Sequence, residues 1–229
     1  LARAAPSGEA QSGLYDTIVI GGGFAGVTAA RETSLRGLNT LLLEARPRIG
    51  GRTLTLSLAG HDLDVGGTWI GWSQPHVWAE MMRYGLDIDE SAGAGAVRGV
   101  WMENGRRIED DYGRFAELFE SAALKFFEPA REAFPRPYDP LHAKHVNKLD
   151  TITAAEAIAG FDMSEVERGF ALSLAAIDGH APPDQSSYLD HLRWMALGDF
   201  DVWNMFDNLG RYRVSGGTKR LLDRMHADS

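Results

Sequence analysis

The chain has no cysteine among its 229 residues, so no disulfide can form within it. A zero count fits either redox compartment and therefore does not locate the protein. Long hydrophobic runs are also missing, since no apolar stretch approaches the roughly 20 residues that a helix needs to span a bilayer. Internal repeats and clusters of metal-ligand residues are absent from the sequence as well, and we predict no metal site.

Positive charge is scarce. The formal net charge is −9, which argues against nucleic acid or an anionic membrane as the partner and mildly favours the approach of a cationic small molecule. The hydrophobic content of 44% and the charged content of 24% are ordinary for a soluble globular protein. The chain opens on Leu1-Ala2-Arg3-Ala4 without Met, which is typical of a mature or trimmed N-terminus after a removed export signal. Residues 1–13 are expected to form a flexible tail.

A glycine-rich turn follows this tail. Asp16 to Ile20 predicts a short buried strand, Gly21-x-Gly23-x-x-Gly26 comes directly after it, and Val27 to Leu35 predicts a helix. The glycines permit a tight turn, a close approach of the backbone to a pyrophosphate, and close packing of helix on strand. The phosphates would lie at the N-terminus of the helix, where N–H groups and the helix dipole favour an anion.

A carboxylate stands where a dinucleotide-binding unit needs one. The second apolar strand, Thr40 to Leu43, ends at Glu44, which is placed to bind ribose hydroxyls. An NAD-dependent dehydrogenase would explain everything up to this residue. It would leave the next two segments without a purpose, namely Arg46-Pro47-Arg48-Ile49-Gly50-Gly51-Arg52-Thr53-Leu54-Thr55 and Asp64-Val65-Gly66-Gly67-Thr68-Trp69-Ile70.

Together these three segments resemble the flavin-containing amine oxidases, the family of monoamine, polyamine and L-amino-acid oxidases. The first of the two later segments fits R-x-G-G-R-x-x-[ST], and the resemblance is strongest over about residues 14 to 85. It implies FAD as the cofactor, bound without a cysteinyl bond because the chain has no cysteine. It implies Glu44 on the adenosine ribose, Arg52 on the pyrophosphate and ribityl side, and the segment from Gly66 along the isoalloxazine ring. The full set of expected flavin contacts is Gly21, Gly23, Phe24, Ala25, Gly26, Glu44, Ala45, Arg46, Gly51, Arg52, Gly66, Gly67, Thr68 and Trp69.

The stretch from Gly67 to Leu86 is similar to bacterial amine oxidases that act on nicotine and pseudooxynicotine, and the stretches 133–140 and 211–218 strengthen that similarity. By this resemblance Trp72 lines the substrate cavity, and Trp69 helps to shape the reacting face. These relatives often carry His between the two tryptophans, where this chain has Gly71. This difference at Gly71 does not weaken the family resemblance, but it leaves the identity of the amine substrate open.

The fold class predicted is α/β, with a Rossmann-type FAD-binding domain and a mainly helical substrate-binding domain, both incomplete in this chain. We assign residues 14–85 to the first part of the FAD-binding domain, 86–207 to the helical part of the substrate-binding domain, and 208–229 to a truncated return to the FAD-binding domain. A helix is predicted over Gln74 to Arg83 with Pro75 in its first turn, and another over Asp184 to Leu197.

Several features of the middle region favour helices. Phe115, Leu118, Phe119, Ala122 and Phe126 recur at helical spacing. Thr153 to Glu156 and Ser164 to Glu167 each predict a capping box. The aromatic segment from Phe200 to Phe206 could line the amine pocket or belong to the core. No catalytic role is assigned to the histidines that draw attention as acids or bases, which are His61, His76, His142 and His145.

The resemblance also implies that the fold is incomplete, because the C-terminal flavin motif of the family and the rest of its substrate-binding domain have no counterpart in these residues. An interrupted parallel sheet would expose apolar faces. We therefore expect a second polypeptide, or a cleaved C-terminal half of the same precursor, to complete it. Oligomeric state is open, a homo-oligomer included, and bacterial cytoplasm and periplasm both remain open as locations.

The predicted function is FAD-dependent oxidation of a small amine, nicotine-like or another secondary or primary amine, to an imine that water hydrolyses. The electron acceptor would be oxygen or a redox protein. The alternative is a non-catalytic flavin-binding fragment or subunit that assembles with a catalytic partner.

Overall fold

A computed structural model describes residues 13–143 and 146–229. Its strands are β1 (Thr17–Ile20), β2 (Thr40–Leu43), β3 (Thr55–Leu58), β4 (His61–Asp64), β5 (Trp69–Ile70), β6 (Ile88–Glu90), β7 (Arg98–Glu103), β8 (Arg106–Asp111) and β9 (Tyr212–Val214). Its helices are α1 (Phe24–Leu35), α2 (Pro75–Arg83), α3 (Tyr112–Phe126), α4 (Ala130–Ala133), α5 (Asn147–Asp150), α6 (Ala154–Gly160), α7 (Glu165–Gly179), α8 (Tyr188–Leu197), α9 (Val202–Gly210) and α10 (Thr218–Ala227). No helix in these ranges is long and apolar enough to cross a bilayer.

The chain divides into two compact units. Of the described residues, the first unit contains 13–90 and 212–229, and the second contains 91–143 and 146–211. The sequence placed the divisions after residues 85 and 207. The structure places them later, because β6 pairs with β9 in an antiparallel ladder that joins Ile88 to Val214 and Glu90 to Tyr212. The roles assigned to the units, flavin binding and substrate binding, stay predictions.

In the first unit β1 and β2 form a parallel pair in which Thr17 lies opposite Thr40 and Ile20 opposite Leu43. The helix α1 connects the two strands and begins at Phe24, three residues before the predicted start. The prediction that β1 is buried is wrong for one of its faces, since Ile18 is 56% exposed and Ile20 is 85% exposed. Val27 of α1 is buried, whereas the face that carries the two isoleucines is largely exposed.

The return segment adds the second sheet of this unit. The strand β9 lies between β5 and β6 and is antiparallel to both. The strands β3 and β4 form a separate antiparallel hairpin. Helix α2 begins at Pro75, one residue after the predicted start at Gln74, and has Pro75 in its first turn as predicted. Helix α10 follows β9. Buried apolar side chains from α1, β5, α2, β9 and α10 make one core, whose members are Val27, Ile70, Met81, Val214, Leu221, Leu222 and Met225.

A buried arginine ties three helices of the first unit together. Arg31 of α1 is only 2% exposed, and its guanidinium donates to both carboxylate oxygens of Glu80 in α2, at 2.5 and 2.7 Å. Tyr84 accepts a third bond from Arg31 and donates its own hydroxyl to Asp228, just beyond α10. The hydrogen bond from Arg31 lowers the pKa of Glu80. Because an isolated buried charge is very costly, this bidentate pairing keeps the arginine inside.

The second unit contains a β-hairpin that the sequence analysis missed. Strands β7 and β8 pair antiparallel from Arg98 opposite Asp111 to Glu103 opposite Arg106. Asn104 and Gly105 form the two-residue turn, with φ of 49° and 71°. Asn-Gly between two strands is the strongest short-range hairpin signal, so the hairpin could have been predicted from the sequence. The unit is otherwise helical.

Helix ends in the second unit follow the predicted caps. Thr153 with Glu156 begins α6, and Ser164 with Glu167 begins α7, and both capping boxes are complete. Glu167 also accepts hydrogen bonds from Ser121 and Lys125 of α3, which lower its pKa to about 2. The helix predicted to begin at Asp184 begins instead at Tyr188, because Gln185 N–H donates to the Pro182 carbonyl in a turn.

Three polar side chains meet inside this unit. His191 Nε2 lies 2.9 Å from Ser186 Oγ, and His191 Nδ1 lies 4.0 Å from Asp178 Oδ2. Neither oxygen of Asp178 has a hydrogen-bond partner among the described residues. Burial, with a smaller contribution from Asp190, raises the pKa of Asp178 to about 7, and burial lowers the pKa of His191. Both groups are therefore most stable uncharged.

Replacing Asp178 with asparagine should stabilise the protein at high pH. The pKa of Asp178 is raised on folding, so its stabilising contribution is present below about pH 4 and is lost as the pH rises through about 7. An amide stays neutral throughout. Asp178→Asn should therefore match the parent near about pH 4 and exceed it by roughly 2–4 kcal/mol near about pH 8.

Urea unfolding across this pH range would measure the difference. The matched control is Asp162→Asn, because Asp162 is exposed in the same unit and its substitution removes the same charge. A gain of Asp178→Asn over the parent that did not grow with pH would contradict the assignment.

Candidate flavin site

The glycine turn after β1 is built from main-chain contacts. Gly21 N–H donates to the Leu43 carbonyl at 2.7 Å, which places the turn at the end of both parallel strands. Gly26 packs so closely on the Gly21 carbonyl that a Cβ there would overlap its oxygen. Helix α1 has Gly23 as its N-cap and no side-chain cap. Its first-turn N–H groups, from Phe24 and Ala25 onward, therefore stay available to an anion at the positive end of the helix dipole.

Glu44 closes this turn from the second strand. Its Oε2 accepts from Gly22 N–H at 2.7 Å and its Oε1 accepts from Arg46 N–H at 2.8 Å. The backbone hydrogen bond from Arg46, followed by that from Gly22, lowers the pKa of Glu44, so the side chain is ionised. A carboxylate offers about four acceptor positions, of which these bonds use two. The half-exposed side chain can therefore still accept from ribose hydroxyls.

The arginine–glycine loop folds against the glycine turn. Gly50 N–H donates to the Gly22 carbonyl at 2.8 Å, and a Cβ on Gly51 would lie 3.4 Å from Gly23 Cα. Arg48, which the sequence analysis left without a role, holds the loop by donating to the carbonyls of Ile49, Gly51 and Thr53. The position of this arginine beside two glycines was the sequence signal from which its role in holding the loop could have been predicted.

The side chain of Arg52 takes no part in these loop contacts. It is exposed, and its guanidinium makes no hydrogen bond or ion pair with any residue in the described ranges. Ala45 and the side chain of Arg46 are exposed beside Glu44. The loop thus presents at least one uncommitted guanidinium, a group whose planar donors suit phosphate oxygens.

The segment from Gly66 to Trp69 lies against the same loop. Gly67 N–H donates to the Arg52 carbonyl at 3.1 Å, and a Cβ on Gly66 would overlap that carbonyl oxygen. Thr68 Oγ1 donates to the Gly66 carbonyl at 2.8 Å. Trp69 is 42% exposed in β5 and pairs with Arg213 of β9. The structure therefore brings together the three segments that the sequence analysis singled out.

Trp72 stands in an aromatic group just after β5. Its ring centroid lies 4.9 Å from that of Tyr212 and 6.2 Å from that of Trp78. These contacts fix the ring, yet 48% of Trp72 remains exposed. Gly71 N–H donates to the side-chain oxygen of Gln74 at 3.3 Å, at the entry to α2. A positioned but accessible indole is able to contact a ligand.

A separate cavity of about 1030 Å³ lies within the second unit. Its lining includes several aromatic side chains, among them Trp101, Phe115, Phe119, Phe170, Trp203 and Phe206. The aromatic segment after Phe200 thus divides between two roles. Trp203 and Phe206, one helical turn apart in α9, line the cavity, whereas Val202 and Met205 are buried in the core. The 3.6-residue periodicity could have separated the two faces.

The structure describes three of the four histidines that the sequence analysis singled out. His61, His76 and His142 are exposed, and His145 lies outside the described residues. Within the described part of the chain, no group of three or more His, Cys, Asp or Glu side chains could hold a metal ion.

Comparison with known proteins identifies the family. The family described as flavin containing amine oxidoreductase matches residues 24–229 of the chain. The chain belongs to this family. Membership in the flavin-containing amine oxidoreductases implies FAD as the cofactor, and the uncapped start of α1, the ionised Glu44 and the uncommitted Arg52 fit such a ligand.

The curated relatives include two enzymes named for nicotine compounds. The chain is 40% identical to a pseudooxynicotine dehydrogenase from a Pseudomonas species over 97% of its own length and 45% of the relative's. It is 37% identical to a nicotine dehydrogenase from Pseudomonas putida over 94% of its length and 45% of the relative's. Among solved structures, cyclohexylamine oxidase from Brevibacterium oxydans matches with a TM-score of 0.74 and 23% identity, covering 94% of this chain and 49% of that one. The chain thus spans about half the length of these amine oxidoreductases.

Removing Glu44 or Arg52 should weaken flavin binding. Glu44→Ala deletes the expected ribose acceptor and Arg52→Ala deletes the expected phosphate donor, so each should raise the dissociation constant for FAD by about tenfold or more. Glu44→Gln keeps one acceptor oxygen and should lose less. Titration of flavin fluorescence measures all three constants.

The matched control for the arginine is Arg106→Ala, which removes an exposed arginine from the second unit. Equal FAD affinity in Arg52→Ala and Arg106→Ala would show that Arg52 does not reach the cofactor.

Proposed function

We propose that this chain forms part of an FAD-dependent enzyme that oxidises an amine to an imine, which water then hydrolyses. The observation that carries the proposal is the convergence of the glycine turn, the arginine–glycine loop and the Gly66–Trp69 segment through main-chain contacts. When bound, the flavin would accept a hydride equivalent from the carbon next to the amine nitrogen. The protein would bind the cofactor, orient the amine and exclude water.

Each part of the site has a distinct task in this proposal. The N–H groups at the start of α1 bind the pyrophosphate, Glu44 accepts from the adenosine ribose, and Arg52 donates to phosphate oxygens on the ribityl side. The segment from Gly66 to Trp69 runs along the ring system. Trp69 and Trp72 are half-exposed in the first unit and shape the face on which the amine reacts.

The substrate proposed is a small amine with an apolar body, nicotine-like or otherwise secondary or primary. The names of the two Pseudomonas relatives, at 40% and 37% identity, support this class. The acceptor is oxygen or a redox protein, since the two relatives are named dehydrogenases and the cyclohexylamine enzyme is named an oxidase.

Trp72→Ala should change turnover without releasing the flavin. The ring packs on Tyr212 and Trp78 and is placed by the proposal beside the amine, so its loss should lower kcat/KM by about tenfold, a factor that corresponds to about 1.4 kcal/mol. The dissociation constant for FAD should stay within about twofold of the parent value.

Steady-state kinetics with nicotine and pseudooxynicotine as probes would measure the effect. Trp72→Phe keeps an aromatic face and should restore most of the activity. Unchanged kinetics in Trp72→Ala for the amine that the parent turns over best would show that Trp72 does not contact the substrate.

A second candidate function is favoured by the exposed face of β1. A parallel strand is normally covered on both faces, yet Ile18 and Ile20 are 56% and 85% exposed. These residues could belong to a flavin-binding part that becomes catalytic only when a second half, on the same precursor or on a separate polypeptide, covers the face. By itself such a part would bind FAD, and an amine would not reduce the flavin.

Mass spectrometry under native and denaturing conditions should distinguish the two. We expect a native mass that includes the 25.1 kDa chain, further polypeptide and one FAD, and amine-dependent bleaching of the flavin in that assembly alone. The native mass would also report a homo-oligomer. A monodisperse preparation of the 229-residue chain that binds FAD and is bleached by an amine without further polypeptide would contradict the need for a second half.

A further inference from the structure

The carboxylate of Asp64 is a meeting point for three sequence motifs. Thr55 ends the R-x-G-G-R-x-x-[ST] motif, Asp64 precedes the Gly66-Gly67 pair, and Thr218 follows the glycine pair of the return segment. Asp64 Oδ1 accepts from Thr55 Oγ1 at 2.5 Å and from Thr218 Oγ1 at 3.0 Å. Both carboxylate oxygens lie 3.1 Å from the Thr218 backbone nitrogen.

This contact supplies the cap that α10 lacks. The N-cap residue of α10 is Gly217, which has no side chain to accept from the first N–H groups. Asp64 accepts from Thr218 N–H instead, and Thr55 Oγ1 accepts from Lys219 N–H at 3.1 Å. A negative charge at the positive end of the helix dipole adds to the hydrogen bonds. Gly217 has φ of 89°, and a Cβ there would overlap Thr55 Cγ2, so glycine alone permits this approach.

The same contact fixes one end of the segment proposed to run along the flavin ring. Asp64 anchors its start on α10, and the pairing of Trp69 with Arg213 anchors its end on β9. Between the anchors, Val65 N–H donates to Leu54 and Gly67 N–H donates to Arg52. Both outer anchors lie in the return segment, so the position of Gly66 depends on residues far along the chain.

We propose that Asp64 is a positioning residue for the flavin, which acts by holding the Gly66–Trp69 segment against the return helix and touches no cofactor atom itself. This inference rests on the proposed flavin site. Loss of the carboxylate frees the start of the segment, and the protein environment along the ring changes with it. The predicted signature is therefore an altered flavin spectrum as well as weaker binding.

The test is Asp64→Asn in the flavin-bound protein. Its amide NH₂ faces hydroxyl and N–H donors, so at least one of the present hydrogen bonds is lost. We expect a dissociation constant for FAD about tenfold higher and a shifted visible circular dichroism band of the bound flavin. In the flavin-free protein, amide hydrogen exchange at Thr218 and Lys219 should also become faster. Asp62→Asn is the matched control, because Asp62 is exposed in the same strand, and it should leave all three measurements unchanged.

The outcomes separate this inference from the function on which it rests. If the parent binds no FAD, the proposed function fails first. If the parent binds FAD and Asp64→Asn matches Asp62→Asn in affinity and spectrum, Asp64 does not position the flavin. Faster exchange with an unchanged spectrum and affinity would show a purely structural cap and would likewise overturn the inference.

A milder pair of variants covers the case in which Asp64→Asn does not fold. Thr218→Val deletes one hydroxyl donor to Asp64 and keeps the side-chain volume. Thr218→Ser keeps the hydroxyl. The valine variant should show the spectral shift and the weaker FAD binding, and the serine variant should restore the parent values. Identical spectra and affinities in the two variants would overturn the inference.

Discussion

The candidate site depends on a steric constraint, which is that main-chain segments approach one another more closely than any Cβ allows. At Gly26 the helix α1 meets the turn that ends β1, and at Gly66 the second glycine pair meets the carbonyl of Arg52. A side chain at either position would separate the segments. Because these contacts are made by the backbone, polar groups such as the first N–H groups of α1 and the guanidinium of Arg52 remain available to a ligand.

Charged groups stabilise the elements that this close packing brings together. In the first unit Arg31 joins α1 to α2, and Asp64 joins the β3–β4 hairpin to α10. In the second unit Glu167 joins α7 to α3. Arg31 is buried and donates to the carboxylates of Glu80 and Glu32, whereas Asp178 has no hydrogen-bond partner among the described residues. Buried charge is thus tolerated where hydrogen bonds compensate it, and elsewhere the pKa moves toward the neutral form.

Local signals in the sequence predicted the parts of the fold that are locally determined. The glycine turn, the end of β2 before Glu44, the proline in the first turn of α2 and both capping boxes each depend on residues a few positions apart. The hairpin at Asn104 was also local, and it was missed although its turn residues were present. The contact between Asp64 and Thr218 could not be predicted in this way, because the two residues are 154 positions apart. Neither motif contains a local pattern that indicates contact with the other.

The difference between local signals and contacts between distant residues also explains why β1 was predicted to be buried on both faces. Its composition, mostly β-branched and apolar, is typical of a strand in a covered parallel sheet. The structure covers the face that meets α1 and leaves Ile18 and Ile20 exposed. The composition of a strand indicates whether it is suited to burial. It does not indicate which part of a protein buries it. The exposure of the two isoleucines is therefore the observation that supports the proposed second half. Their burial would add apolar contacts next to the turn that is proposed to hold the phosphates, so covering this face and binding the flavin should stabilise each other.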